Sequence, residues 1–345
     1  MLGILDLNDD LLVLIASLLL ANAARRFADC IKDDAKRAAV QGAPARVDKC
    51  QYLCWYKPRA LPPFRWMPSG RPTLFVAGDE QFLHFWPRLE DYRARHDGGA
   101  PWLKLIVADC AAVRDWHLVA LGPICTALEL RGCPAVSGVG PLGCVRALEI
   151  SRCALVGSIE GLGGRGQESV SLDNIPIADA GPVGGVPRVS LARCPLVGLK
   201  GFGAPGQTLR LENLPITGFG DLEGRTPSRV IATSCEKVLS AAGLEGCETE
   251  VSLDRMQNLR DVSGLCGVPR VEVIDCPKVR ELWRGSRGQC VYLCSLPVAD
   301  VDGLAGVSSL VLSACDRVQD LRTLTDVGEL YVRNCHWLND TRRVA

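Results

Sequence analysis

One phrase recurs through most of the chain: an apolar residue, a variable one, a second apolar residue, two variable ones, then a cysteine or a bulky aliphatic residue. Its last position, the anchor, falls at Cys110, Cys133, Cys153, Ile175, Cys194, Leu214, Cys235, Met256, Cys276, Leu296, Cys315 and Cys335, so twelve copies follow one another with a period near 20 residues. A unit this short cannot bury its own apolar edge. Stability has to come from stacking each copy on its neighbours, with the two ends capped.

Within each copy the two apolar residues before the anchor, such as Leu128 and Leu130 or Leu310 and Leu312, alternate with polar ones, which predicts a short half-buried strand. Beyond the anchor come Pro or Val, glycines and a second aliphatic residue, as in Pro134, Val136, Gly138, Val139 and Leu142. With 35 glycines and 21 prolines in 345 residues, there is little room for long return helices. Over residues 102–338 this pattern resembles the short form of the leucine-rich repeat. The resemblance implies an α/β repeat solenoid of short parallel strands with few or short helices. Between Cys153 and Cys315 the anchors alternate between Cys and Ile, Leu or Met, so the true unit is expected to be a pair of about 40 residues.

The chain has seventeen cysteines, an odd number, and most follow the repeat. Strands about 4.8 Å apart put alternate anchors roughly 10 Å from one another, beyond the Cα separation of about 7 Å that a disulfide tolerates. The cysteines are therefore read as mostly buried thiols whose S–H reaches the loop backbone.

The first 32 residues read as helical, with Leu11, Leu12, Leu14, Ile15, Leu18 and Leu19 on one broad apolar face and Asp9 and Asp10 at its start. Leu7, Asp9 to Leu12, Ile15, Leu18, Leu19, Phe27, Ala28, Cys30 and Lys32 resemble an F-box. That resemblance implies that Leu7, Leu11, Leu12, Ile15, Leu18 and Leu19 dock on a Skp-type adaptor of a cullin ubiquitin ligase while the repeats hold a protein substrate. The same apolar face also suits a plain capping hairpin for the array. The expected organisation is an F-box-like segment at 1–32, an aromatic and proline-rich joint and cap at 33–101, the array at 102–338 and a tail at 339–345.

Lys plus Arg and Asp plus Glu both total 39, so there is no basic field to hold a nucleic acid. The longest apolar run, Leu11 to Leu20, is too short to span a bilayer, which takes roughly 20 residues. Asp6, Asp9 and Asp10 precede it where a signal peptide carries Lys or Arg, which favours a cytoplasmic or nuclear protein. Ala21, Asn22 and Ala23 do imitate a cleavage site, so a secreted or surface repeat protein is a further reading.

No enzymatic signature emerges. Gly161, Gly163 and Gly166 fit a dinucleotide-loop spacing but precede a strand instead of following one. A metal ladder along the anchor cysteines lacks the close pairs of a zinc signature, and Cys50 and Cys54, which with Cys30 and His84 could form a zinc site, are read as ordinary joint cysteines. The four histidines, His84, His96, His117 and His336, are read as surface or joint residues, and no catalytic residue, cofactor or metal is assigned.

Binding is expected on the concave face formed by the variable strand positions. Going along it, Glu129, Arg131, Glu149, Arg152, Asp173, Arg188, Arg193, Arg210, Glu212, Arg229, Glu250, Asp254, Arg270 and Glu272 give an interleaved charged row. Toward the C-terminus the character changes to Ile274, Tyr292, Val311 and Tyr331, flanked by Glu329 and Arg333. An aromatic and aliphatic cluster with a polar rim is the preferred partner site. A repeat scaffold without any ligase link is the alternative function.

Overall fold

The computed structural model describes residues 53–54, 73–95 and 103–335. Fourteen strands form one sheet in which spatial order follows chain order and each neighbouring pair is parallel. They are β1 (Leu53–Cys54), β2 (Thr73–Ala77), β3 (Leu103–Ala108), β4 (Cys125–Arg131), β5 (Ala147–Ser151), β6 (Ser169–Asp173), β7 (Arg188–Ala192), β8 (Thr208–Glu212), β9 (Arg229–Thr233), β10 (Glu250–Asp254), β11 (Arg270–Ile274), β12 (Cys290–Cys294), β13 (Ser309–Ser313) and β14 (Glu329–Arg333). Helix α1 (Gly78–Arg95) returns the chain from β2 to β3, and α2 (Asp115–Leu121) from β3 to β4. Every later return among the described residues holds at most a short 3-10 turn, and the array is a leucine-rich-repeat solenoid.

In-register pairing turns the period-two alternation into continuous inward ladders. One runs from Leu74 through Leu128, Val170 and Val230 to Leu310, the other from Val76 through Leu130, Leu172 and Leu253 to Leu312. None of these ten side chains is more than 2% exposed. Each such burial contributes roughly 1.5–3 kcal/mol, which offsets the entropy of ordering short strands.

Immediately past the strand, each copy turns at one residue in the left-handed region: Asp109, Gly132, Arg152, Asn174, Arg193, Asn213, Ser234, Arg255, Asp275, Ser295, Ala314 and Asn334, with φ between 50° and 59°. The N–H of that residue donates to the last carbonyl of the next strand, as Asn174 does to Ala192 and Asn213 to Thr233, so the ladder gains one more rung. The turn then swings the anchor into the core. Arg152 and Arg193, read above as strand positions, occupy this turn instead, because the strands end at Ser151 and Ala192.

At the cysteine anchors the thiol bridges two copies. Cys194 Sγ lies 3.2 Å from the Ala192 carbonyl and 3.7 Å from that of Leu172 one copy back, and Cys315 repeats this toward Ser313 and Leu293. The cysteines at 110, 125, 133, 153, 194, 235, 247, 276 and 315 are free and buried. Cys144 and Cys266, which end 3-10 turns, and Cys290, which opens β12 on its outer face, are exposed, and Cys294 and the last anchor, Cys335, are half-buried.

The pairing of copies has a structural cause. One kind closes with a 3-10 turn, as at Gly181–Val183 and Ser263–Leu265, and through the middle of the array the next kind has an open glycine loop. The open loop has few local backbone bonds, Phe202 N–H to the Leu199 carbonyl and Gln207 N–H to that of Ala204 in one copy, and a buried glutamine adds side-chain ties to them. Gln207 Oε1 accepts from the Gly203 N–H of its own loop, while Nε2 donates to the Gly184 and Val186 carbonyls of the preceding copy, all at 2.8 Å. Gln167 and Gln289 do the same in their copies. Where Cys247 takes the place of glutamine, Glu245 accepts from the Gly243 N–H.

The aromatic joint at the N-terminal end is packed around α1 and α2. Phe82, Phe85 and Trp86 of α1 are buried, and His117 of α2 stands edge-on to Phe82 and Trp86 with ring centroids 4.8 and 4.4 Å away. Of the two places expected for it, joint or surface, His117 takes the joint, where it is buried. Its Nδ1 accepts the Arg114 N–H, and burial lowers its pKa. The sheet continues into this joint through β2, since Phe75 pairs with Ile106 of β3.

Candidate functional site on the concave face

The outward side chains of the strands fall into three rows set by the register. The middle row reads Glu129, Glu149, Ser171, Ser190, Arg210, Ile231, Ser252, Glu272, Tyr292, Val311 and Tyr331 from β4 to β14. Tyr292, Val311 and Tyr331 are direct register partners on consecutive strands. Tyr331 is 49% exposed, whereas Tyr292 and Val311 are half-buried. Burial, and a hydrogen bond to the Cys294 thiol, raise the Tyr292 pKa.

Ile274, Arg333 and Glu329 take other places. Ile274 and Arg333 belong to the row that passes through Cys294 and Ser313, at the C-terminal ends of the strands. Glu329 ends the row that runs through Arg270, Cys290 and Ser309. The three tyrosine-row residues therefore have Arg333 and Glu329 on opposite flanks of the same strand, both exposed. Leu7, Leu11, Leu12, Ile15, Leu18 and Leu19 lie outside the described residues, as do Cys30 and Cys50.

The charged part of the face is largely self-paired. Arg229 meets Glu250 at 2.7 Å across adjacent strands, Arg270 meets Glu272 at 2.8 Å, and Arg193 meets Asp173 at 2.5 Å. Arg131 pairs with Glu129 and reaches Glu149 only at 3.9 Å, and Glu168 is shared between Arg146 and Arg188, the Arg146 hydrogen bond holding its carboxyl below the usual range. Such exposed pairs contribute little each, about 0–1 kcal/mol, and serve to fix side-chain geometry. Arg210 has no ion-pair or hydrogen-bond partner among the described residues and is exposed.

A feature not read from the sequence is a trough of about 460 Å³ across β3 to β8. Small residues, Ala127, Ala147, Ser169, Ser171, Ser190 and Thr208, make its floor, with Lys104, Glu129 and Glu149 toward one end and Arg188 and Arg210 toward the other. The signal was present as a succession of small residues at variable positions of consecutive copies, but it becomes a shape only once the register is known. Among the described residues, no group of His, Cys, Asp or Glu is arranged to hold a metal, and no helix is long and apolar enough to cross a membrane.

No family model matches the sequence, and no curated protein does. Among solved structures the chain is similar to an internalin from Listeria monocytogenes, with a TM-score of 0.46 and 12% identity, over 72% of this chain and 82% of that one.

Proposed function

We propose that this chain is a non-enzymatic protein-binding scaffold whose concave face holds its partner at the row Tyr292, Val311, Tyr331. The observation that carries this is the continuity of that row on three adjacent strands, where rigid aromatic side chains give contact area at little entropic cost. Arg333 and Glu329 would orient the partner at the rim, with Ile274 one strand before Tyr292 extending the apolar surface. A partner protein copurified with the wild-type chain should bind the Tyr292→Ala, Tyr331→Ala double variant at least roughly 2 kcal/mol more weakly, with an unchanged melting temperature. Earlier melting with normal binding would assign the tyrosines to the C-terminal cap.

In its finer form the reading is a substrate receptor of a cullin-type ubiquitin ligase, in the cytoplasm or nucleus, supported by the F-box-like residues ahead of an array. Free buried thiols at the anchors suit a reducing compartment. A purified Skp-type adaptor should bind the full chain and lose binding with Leu11→Asp and Ile15→Asp, while the array stays folded. If the wild-type chain does not bind the adaptor, the ligase link fails and the scaffold reading stands alone.

A further inference from the structure

We propose that the trough over β4 to β8 binds an extended segment of the protein partner that crosses the strands and carries one basic and one acidic side chain four residues apart. The inference rests on reading the concave face as a protein-binding surface and adds a second zone to it, with its own chemistry.

Three observations support it. Glu149 on β5 and Arg210 on β8 stand in the same row, three strand steps apart, with Ser171 and Ser190 between them. At about 4.8 Å per step the two charges are separated by roughly 14 Å, while four residues of extended chain cover about 13 Å. An extended chain alternates sides with period two, so residues four apart point to the same face and those three or five apart do not. A basic side chain over Glu149 and an acidic one over Arg210 are thus reached together at a spacing of four, in either chain direction.

The floor explains what lies between. The hydroxyls of Ser169, Ser171 and Ser190 have no hydrogen-bond partner among the described residues, and these side chains are short enough for a backbone to come close. Their hydroxyls then face the amides of the bound segment, and its central residue, also turned inward, must be Gly, Ala or Ser to fit. Other ligand classes fit poorly. The outward positions of β4 to β8 carry no aromatic ring for a sugar to stack on, and Glu129, Glu149, Asp173 and Glu212 oppose a phosphate backbone.

The test is a peptide-display library of randomised segments about ten residues long, selected in parallel on the full wild-type chain and on Arg210→Glu. The wild-type pool should be enriched in a Lys or Arg and an Asp or Glu four positions apart with a small residue midway, and not in the same pair at spacing three or five. The Arg210→Glu pool should change to two basic residues at the same spacing. A synthetic peptide from the wild-type pool should lose at least roughly tenfold in affinity to Arg210→Glu and to Ser190→Leu, which fills the floor, and should bind the Tyr292→Ala, Tyr331→Ala variant unchanged. Circular dichroism of each variant checks the fold. Enriched peptides without the paired charges, or lost only with the tyrosines, would overturn the trough while leaving the concave face as the binding surface. A pool indifferent to every concave substitution, or no enrichment at all, would overturn both.

Discussion

The Sγ of Cys276 lies 3.2 Å from the carbonyl oxygen of Ile274 in its own copy and 3.8 Å from that of Leu253, one copy back in the array, so its single S–H is shared between the two. The anchor is therefore apolar in bulk and polar at one point, and it sits with no exposed surface. Cys276→Asp puts an unpaired charge in that place and should cost at least roughly 3 kcal/mol, read from urea unfolding. A cost within about 0.5 kcal/mol would mean the anchor is not in the core.

The buried thiols also make stability sensitive to alkali. Desolvation pushes Cys276 and Cys247 up to about 12, and desolvation with the Asp79 hydrogen bond pushes Cys110 to about 11, against an ordinary value of 9.0. Below pH 9.0 both states keep these protons and the stabilisation is complete; above it only the unfolded chain releases them, so it is favoured until the folded thiols ionise near 11 to 12. The melting temperature should fall between about pH 9 and 10.5, and fall less in Cys247→Ala after correction for its lower starting stability. A flat profile over that range contradicts the burial of these groups.

Gln207 has three partners that have no substitute. In Gln207→Leu the Gly203 N–H and the carbonyls of Gly184 and Val186 lose their partner inside the fold. Each buried group left unpaired costs about 1–3 kcal/mol, so the variant should lose at least roughly 3 kcal/mol despite its greater hydrophobicity. Amide exchange at Gly203 should rise with it, and an unchanged rate would remove the glutamine from the account.

Ala314 holds a left-handed turn, φ 50°, that Asn, Asp or Gly hold in most other copies. An L-side chain there costs roughly 1 kcal/mol, which Gly does not incur. Ala314→Gly should therefore raise stability by a few tenths to about 1 kcal/mol in chemical unfolding, although glycine normally lowers it. A loss would show that the turn is not set by the backbone alone.

The strand and anchor pattern was legible because a parallel register translates every variable position onto the next copy, so Tyr292, Val311 and Tyr331 could be aligned by counting. The turn before the anchor was hinted at by Asn174, Asn213 and Asn334 and was obscured by Arg152, Arg193 and Ala314 at the same place. The glutamine ties went unread because each joins a loop to carbonyls more than twenty residues earlier, although Gly166–Gln167, Gly206–Gln207 and Gly288–Gln289 repeat in sequence. For His117 the sequence leaves joint and surface both open, because nothing local to it shows that α1 lays Phe82 and Trp86 against its ring. The trough was missed for a similar reason: which charges are already paired depends on neighbours one copy away, and Arg210 stands out only after Arg188, Arg229 and Arg270 have found their carboxylates.

The central claim, that the concave face at the C-terminal end of the array carries the partner, is tested most directly by photocrosslinking in extract of the source cells. A photoreactive side chain replaces Val311 in one protein and, in another, Val197, which is exposed three residues beyond the Cys194 anchor and outside the strands. The account predicts a discrete protein adduct from position 311, lost in the Tyr292→Ala, Tyr331→Ala background, and none of that mass from position 197. Equal adducts from both positions, or none from 311 while 197 crosslinks, would contradict it.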